Sequence, residues 1–319
     1  MAIDLLNPHT HKRLLLSDTG LVENNRIAFP LVDGAYRIVN DKNYTGNFGF
    51  QWNKFSATQI DRATNLDLSK KRFFTTTGWD KEDLSGKNIL EVGSGAGRFT
   101  QIILDYTKPN LYSIDYSNAV EANFKNNGPN ERLHLFQASI YEMPFMPGQF
   151  DKVFCLGVLQ HTPDFERSVK ALIEMVKPSG ELIVDFYPVK GWWTKLHAKY
   201  ILRPYTKKMA PQELFEKIES NIDRMIKTYQ FFSKIGLGFL NRFVPICDIA
   251  GTLPPNLPYH QLRELCLLDT FDMFSPLYDH PKKLKTVVNW FKKHGMTDVW
   301  GDIKKIENYS TATVRGIRK

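Results

Sequence analysis

Between residues 86 and 188, short β-branched or apolar runs alternate with stretches whose apolar residues recur at helical spacing. "KNILEV" (87–92), "NLYSID" (110–115), "RLHLFQA" (132–138), a run inside "FDKVFCLGVLQ" (150–160) and "ELIVDFYP" (181–188) predict five strands. "GRFTQIILDYT" (97–107) puts Phe99, Ile102, Ile103 and Tyr106 on one helical face. "SNAVEANFKNN" (117–127) predicts a helix capped by Ser117 or Asn118. "FERSVKALIEMVKPSG" (165–180) aligns Val169, Leu172, Ile173 and Val176 before Pro178 and Gly180 stop it. Residues 286–319 add a helix and two more strands. Strands alternating with helices build βαβ units, so the expectation is an α/β fold. It would be a doubly wound, mostly parallel seven-stranded sheet that binds ligand beyond the carboxyl ends of its strands.

The flanks read differently. Residues 1–42 predict a small β-module. Residues 43–85 form a connector, and its "YTGNFGFQWNKF" (44–55) is dense in aromatics suited to a lid: Tyr44, Phe48, Trp52 and Phe55. Residues 189–285 interrupt the alternation. Within them "PQELFEKIESNIDRMIKTYQFFSKIG" (211–236) places Leu214, Ile218, Ile222, Met225, Tyr229 and Phe232 on one side of a single long helix. This insertion follows the fifth strand, so it is expected to cap the ligand end of a core formed by 86–188 and 286–319.

Composition narrows the class. Of 319 residues, 42% are hydrophobic and 24% charged, an ordinary soluble balance. No window reaches ~18 uninterrupted apolar residues, so no membrane span is expected. The N-terminus lacks the pattern of a secretory signal. Cys155, Cys247 and Cys266 are scattered, which suits a reducing cytoplasm and supplies no metal-ligand pair. Charge is uneven. Residues 189–319 hold 22 of the 42 Lys and Arg but only 12 of the 34 Asp and Glu. That basic half suits nucleic acid, anionic lipid or an acidic small molecule.

The candidate chemistry starts at "EVGSGAGRF" (91–99). A dinucleotide fingerprint needs a third glycine where Arg98 stands. Here the glycines run 93, 95, 97, and Glu91 ends the strand before them. Asp115 ends the second strand, 20 residues after Gly95, where its carboxylate can accept two ribose hydroxyls. "QASIYEMPF" (137–145), "FDKVFCLGVLQHTPD" (150–164) and "VKPSG" (176–180) follow in order. In this the chain resembles the class I S-adenosylmethionine-dependent methyltransferases. The resemblance implies S-adenosylmethionine as methyl donor, S-adenosylhomocysteine as product and no metal. It places Glu91, Gly93, Ser94, Gly95 and Gly97 at the methionine and ribose, and Asp115 on the ribose. Tyr116, Ser139 and Ile140 fall at the adenine, with Ser139 where many members have Asp. The backbone of Leu156 and Gly157 falls at the methionine ammonium.

"LLNPHTHKRLLL…NRIAFPLVDGAYRIV" (5–39) resembles a zinc-ribbon module of the Trm112 kind. Asn7 and Thr10 stand where its cysteines would be, and only His9 and His11 remain as ligands. A metal-free module that packs on the core or mediates a homodimer is therefore expected. For the acceptor, Tyr187, Tyr278, Asp279, His280 and Trp52 are the candidate contacts. His161, His280 and Asp185 are the candidate bases. The expected reaction is methyl transfer to a small or medium-sized molecule such as a sugar, a lipid-linked precursor or a natural product. RNA is the alternative acceptor, and a non-catalytic scaffold the second alternative.

Overall fold

A computed structural model of the chain describes residues 3–39, 43–189, 196–306 and 309–319. The expected limit of the first module, at residue 42, lies outside them. Five strands open the chain: β1 (Leu5–Leu6), β2 (Arg13–Ser17), β3 (Gly20–Glu23), β4 (Arg26–Val32) and β5 (Ala35–Arg37). The connector supplies α1 (Gly46–Lys54), α2 (Asp61–Thr64) and α3 (Leu68–Thr77). The alternating region then forms β6 (Asn88–Val92), α4 (Arg98–Tyr106), β7 (Asn110–Asp115), α5 (Val120–Asn127), β8 (Leu133–Gln137), β9 (Phe150–Leu156), α6 (Phe165–Met175) and β10 (Val176–Phe186). The insertion is helical: α7 (Ala198–Thr206), α8 (Pro211–Glu219), α9 (Ile222–Lys234), α10 (Ile249–Thr252) and α11 (Tyr259–Phe274). α12 (Leu284–Lys293), β11 (Met296–Ile306) and β12 (Tyr309–Arg318) complete the chain.

The sheet order is β1-β2-β3-β4-β5-β8-β7-β6-β9-β10-β12-β11. β8, β7, β6, β9 and β10 run parallel, with Leu90 of β6 opposite Tyr112 and Val153. β12 inserts antiparallel between β10 and β11. These seven strands are the expected core, but the sheet does not stop there. β5 pairs parallel with β8, Ala35 opposite Leu135, and β4 to β1 continue it to twelve strands. The terminal module is thus an extension of the core sheet. It also grips one core loop: the Ile38 N–H donates to Gln137 and the Leu6 N–H to Pro144, both at 3.0 Å, and Leu5 bridges Phe145. Asn7 Nδ2 and Thr10 Oγ1 each donate to Glu23 at 2.7 Å.

Both faces of the sheet are covered, as buried parallel strands require. Leu90 and Val92 join one core with Tyr112, Val153 and Phe291, while Ile89 faces the other with Ile102, Leu111 and Phe154. A separate core holds the cap, where Phe50 and Phe55 of the connector meet Phe215 and Phe271. The connector is therefore packed on the helical insertion. The single helix expected over 211–236 is two, broken at Ser220 and Asn221. Asn221 Nδ2 and Ser220 Oγ both donate to the Lys217 carbonyl, a side-chain alternative to continued helix.

Candidate functional site

At the carboxyl end of β6 the N–H groups of Gly93 and Ser94 donate to the Ile114 carbonyl, which turns the chain sharply toward α4. Gly97, at φ +84°, starts that helix. A Cβ there would lie 2.2 Å from Asn123 Oδ1 and Asn127 Nδ2, so its bareness lets α4 and α5 close. Gly95 faces a cavity instead, with the Trp52 indole 3.2 Å from where its Cβ would be. Its N–H donates to Asp115 Oδ2 at 2.8 Å. The other Asp115 oxygen accepts the Ser117 N–H at 2.9 Å and hydroxyl at 2.7 Å. These bonds delay the helix beyond Ser117; α5 begins at Val120. Burial raises the Asp115 pKa, and the same hydrogen bonds oppose the rise.

Glu91 lies beneath this loop. It is buried, accepts from Thr100 Oγ1 at 2.5 Å and Ser113 Oγ at 2.8 Å, and ties β6 to α4 and β7. Burial pushes its carboxyl up to about 7 from an ordinary 4.5. The folded protein then holds a proton that the unfolded chain releases, so stability present below pH 4.5 is lost as pH rises to about 7. Glu91→Gln is expected to remove this loss. Its melting temperature, relative to the native protein, should climb across that interval, by up to about 3 kcal/mol equivalent. A difference independent of pH would refute it.

A cavity of about 730 Å³ runs from the loop to the cap. Of the residues expected at the donor, Gly93, Ser94, Gly95, Asp115, Tyr116, Ile140, Leu156 and Gly157 line it. The Ser94 hydroxyl is buried there without a hydrogen-bond partner among the described residues. Glu91, Gly97 and Ser139 stand outside the wall. Trp52, Tyr187 and His161, expected near the acceptor, line the cavity.

Four residues expected at the acceptor do not line it: Asp185, Tyr278, Asp279 and His280. Asp185 is buried and tied to Arg72 Nη2 at 2.8 Å and to the Gly157 N–H, so its carboxylate is already engaged. Asp279 pairs with Lys199 at 2.7 Å and Arg203 at 3.5 Å, and these cations hold its carboxyl below the usual range against burial. His280 hangs its N–H on the Gln160 carbonyl. Tyr278 works through its backbone: its carbonyl takes His161 Nδ1 at 3.0 Å and Arg203 Nη2 at 2.9 Å. A carbonyl only accepts, so Nδ1 carries the proton and Nε2 keeps a lone pair. Burial lowers the His161 pKa, which favours the neutral ring.

The wall also contains residues that sequence reasoning passed over. Arg72 of α3 lies near Gly157, with Nη2 3.3 Å from where a Gly157 Cβ would be. On α11, Asp269 and Asp272 face the cavity one turn apart. Burial and the neighbouring Asp272 push Asp269 up to about 7. Gln51 of α1 is fully buried; its Nε2 reaches Asp272 Oδ1 at 3.4 Å while its Oε1 has no partner among the described residues. The available signal was two carboxylates three apart in the otherwise apolar "LCLLDTFDMF".

The region around the glycine loop is similar in sequence to known proteins. Residues 90–184 match the family model described as a methyltransferase domain. The tRNA U34 carboxymethyltransferase of Nautilia profundicola is 30% identical over 111 residues, 34% of this chain and 37% of that protein. The ubiquinone biosynthesis O-methyltransferase of Pseudomonas aeruginosa is 28% identical over 137 residues, 39% of this chain and 56% of that one. The chain thus spans less than two thirds of the length of these relatives. The solved magnesium protoporphyrin IX methyltransferase of Synechocystis, with bound S-adenosylhomocysteine, aligns over 86% of this chain and 96% of that one. Its TM-score is 0.47 and its identity 13%. Residues 90–184, which hold the glycine loop, thus match a methyltransferase domain.

Proposed function

We propose that the protein transfers a methyl group from S-adenosylmethionine to a small or medium-sized acceptor enclosed beneath the helical cap. The observation that carries this reading is the continuity of one cavity from the glycine loop and Asp115 to α11 of the cap. Its volume is ample for a ligand of drug size. The residues present fit the donor: Ser94 offers an unpaired hydroxyl, Gly95 a bare surface, and Asp115 lone pairs for the ribose. Arg72 supplies a cation for the methionine carboxylate, and Tyr116 and Ile140 flank the adenine.

The donor supplies a methyl group already activated on a sulfonium, so the protein's task is alignment and exclusion of water. The cap and the packed lid perform both. An acceptor that must lose a proton needs a base, and His161 is arranged for it: Nδ1 is held by Tyr278 and Nε2 is an acceptor. Asp269, raised to about 7, is the second base in this reading. Asp185, Tyr278 and Asp279 serve as struts behind the wall.

The test is incubation with methyl-labelled S-adenosylmethionine and fractionated cell extract. Label in a low-mass fraction resistant to nuclease is expected. Label in RNA would transfer the proposal to the nucleic-acid acceptor, and no label with intact cofactor binding would favour the scaffold. His161→Gln is expected to slow labelling by about 10²-fold, with cofactor affinity within about twofold. An unimpaired His161→Gln alongside a dead Asp269→Asn would make Asp269 the base.

A further inference from the structure

Two stretches of the cap combine cations and large apolar residues with a complete lack of acids. Between Asp185 and Glu213 the sequence has six Lys or Arg and no Asp or Glu; between Asp223 and Asp248 it has four and none. Among the described residues, the structure turns several large apolar side chains of both stretches outward. On α7, Ile201 and Tyr205 face solvent, Tyr205 at 75% exposure. From the end of α9 onward, Phe231, Ile235, Phe239 and Phe243 do the same, Phe239 at 67% and Phe243 at 53%. The stretches adjoin, because Arg242 Nε donates to the Leu196 carbonyl at 2.7 Å. Lys208, Lys227 and Lys234 are exposed around them.

Single exposed apolar residues are normal on soluble proteins, but an adjoining set rimmed by cations marks a docking face. We infer that this face of the cap docks on an anionic membrane surface. Its aromatic and aliphatic side chains enter the headgroup boundary and its lysines pair with lipid phosphates. Charge complementarity selects that partner over the others. Two copies meeting through this face would set lysine against lysine. RNA would satisfy the lysines and stack on the aromatic rings, but the exposed aliphatic residues Leu196, Ile201, Leu202, Ile235 and Leu237 offer bases nothing to stack on and suit a lipid boundary. Among the described residues no helix is long and apolar enough to cross a membrane, so the attachment is peripheral. His197 and Arg242 also line the cavity, so docking brings its cap end beside the lipid.

The test is co-sedimentation of the full chain with vesicles of phosphatidylcholine alone and of phosphatidylcholine with phosphatidylglycerol. Binding to the anionic vesicles, at least about tenfold tighter than to the neutral ones, is expected. Phe239→Ser with Phe243→Ser should weaken it about tenfold or more, and Lys208→Glu with Lys234→Glu should erase the preference for anionic lipid. Melting temperature and S-adenosylhomocysteine affinity serve as controls and should hold in both variants, which separates docking from folding and from the methyl-transfer reading. The inference is overturned if neither vesicle sediments the native protein. It is equally overturned if light scattering shows a dimer that the Phe variants split, or if RNA is bound through these same residues.

Discussion

Asp185→Ala is expected to lower the free energy of unfolding by about 3–5 kcal/mol, the usual cost of removing one partner from a buried ion pair. The side chain is fully buried, and its partner Arg72 is mostly so. Truncation takes the buried carboxylate from the Arg72 guanidinium, which also lies over the Phe99 ring, and takes the acceptor from the Gly157 N–H. Asp185→Asn should cost less, since an amide oxygen still accepts from Gly157. Chemical denaturation of the three proteins measures this order. A loss below about 1 kcal/mol for the alanine variant would show that the pair bears little of the fold. The effect should reach the cavity, because Arg72 and Gly157 both form its wall.

Asp115→Ala is expected to weaken S-adenosylhomocysteine binding about a hundredfold, read by calorimetry. The carboxylate is the residue in this reading that accepts two ribose hydroxyls, and hydrogen bonds to a charged group contribute about 1.5–3 kcal/mol each. The variant also frees the Gly95 N–H and Ser117, so the loop loses its inner anchor along with its ligand contact. A melting curve run beside the titration separates the two effects. Unchanged affinity in a well-folded variant would remove Asp115 from the site.

What was legible in the sequence was what local pattern controls. The central strands are buried on both faces and so read as short apolar runs, and the glycines stand where the chain turns onto a helix. The β5–β8 pairing was not legible, since it joins residues a hundred positions apart and a strand carries no mark of its neighbour. The break at Ser220 was hidden because Leu214, Ile218, Ile222 and Met225 keep one stripe in phase across it. Tyr278, Asp279 and His280 have the side chains of a site, yet Lys199 and Arg203 draw their loop behind the wall. Asp269 and Asp272 were masked by the opposite fault: they follow the buried run Leu265–Leu268 and flank buried Thr270 and Phe271, so the second half of α11 reads as core alone.

The grip of the first strands on the 137–145 loop carries a consequence for how the protein tolerates shortening. β8 would be the rim of the sheet if β5 were absent, an unguarded row of amide and carbonyl groups open to any passing strand. The same loss would unpin Gln137 and Pro144, and with them Ile140 in the cavity wall. Residues 3–39, which look detachable as a separate module, are in mechanical terms a hem: cut away, they would leave the fabric beside the cavity to fray and to snag on its neighbours.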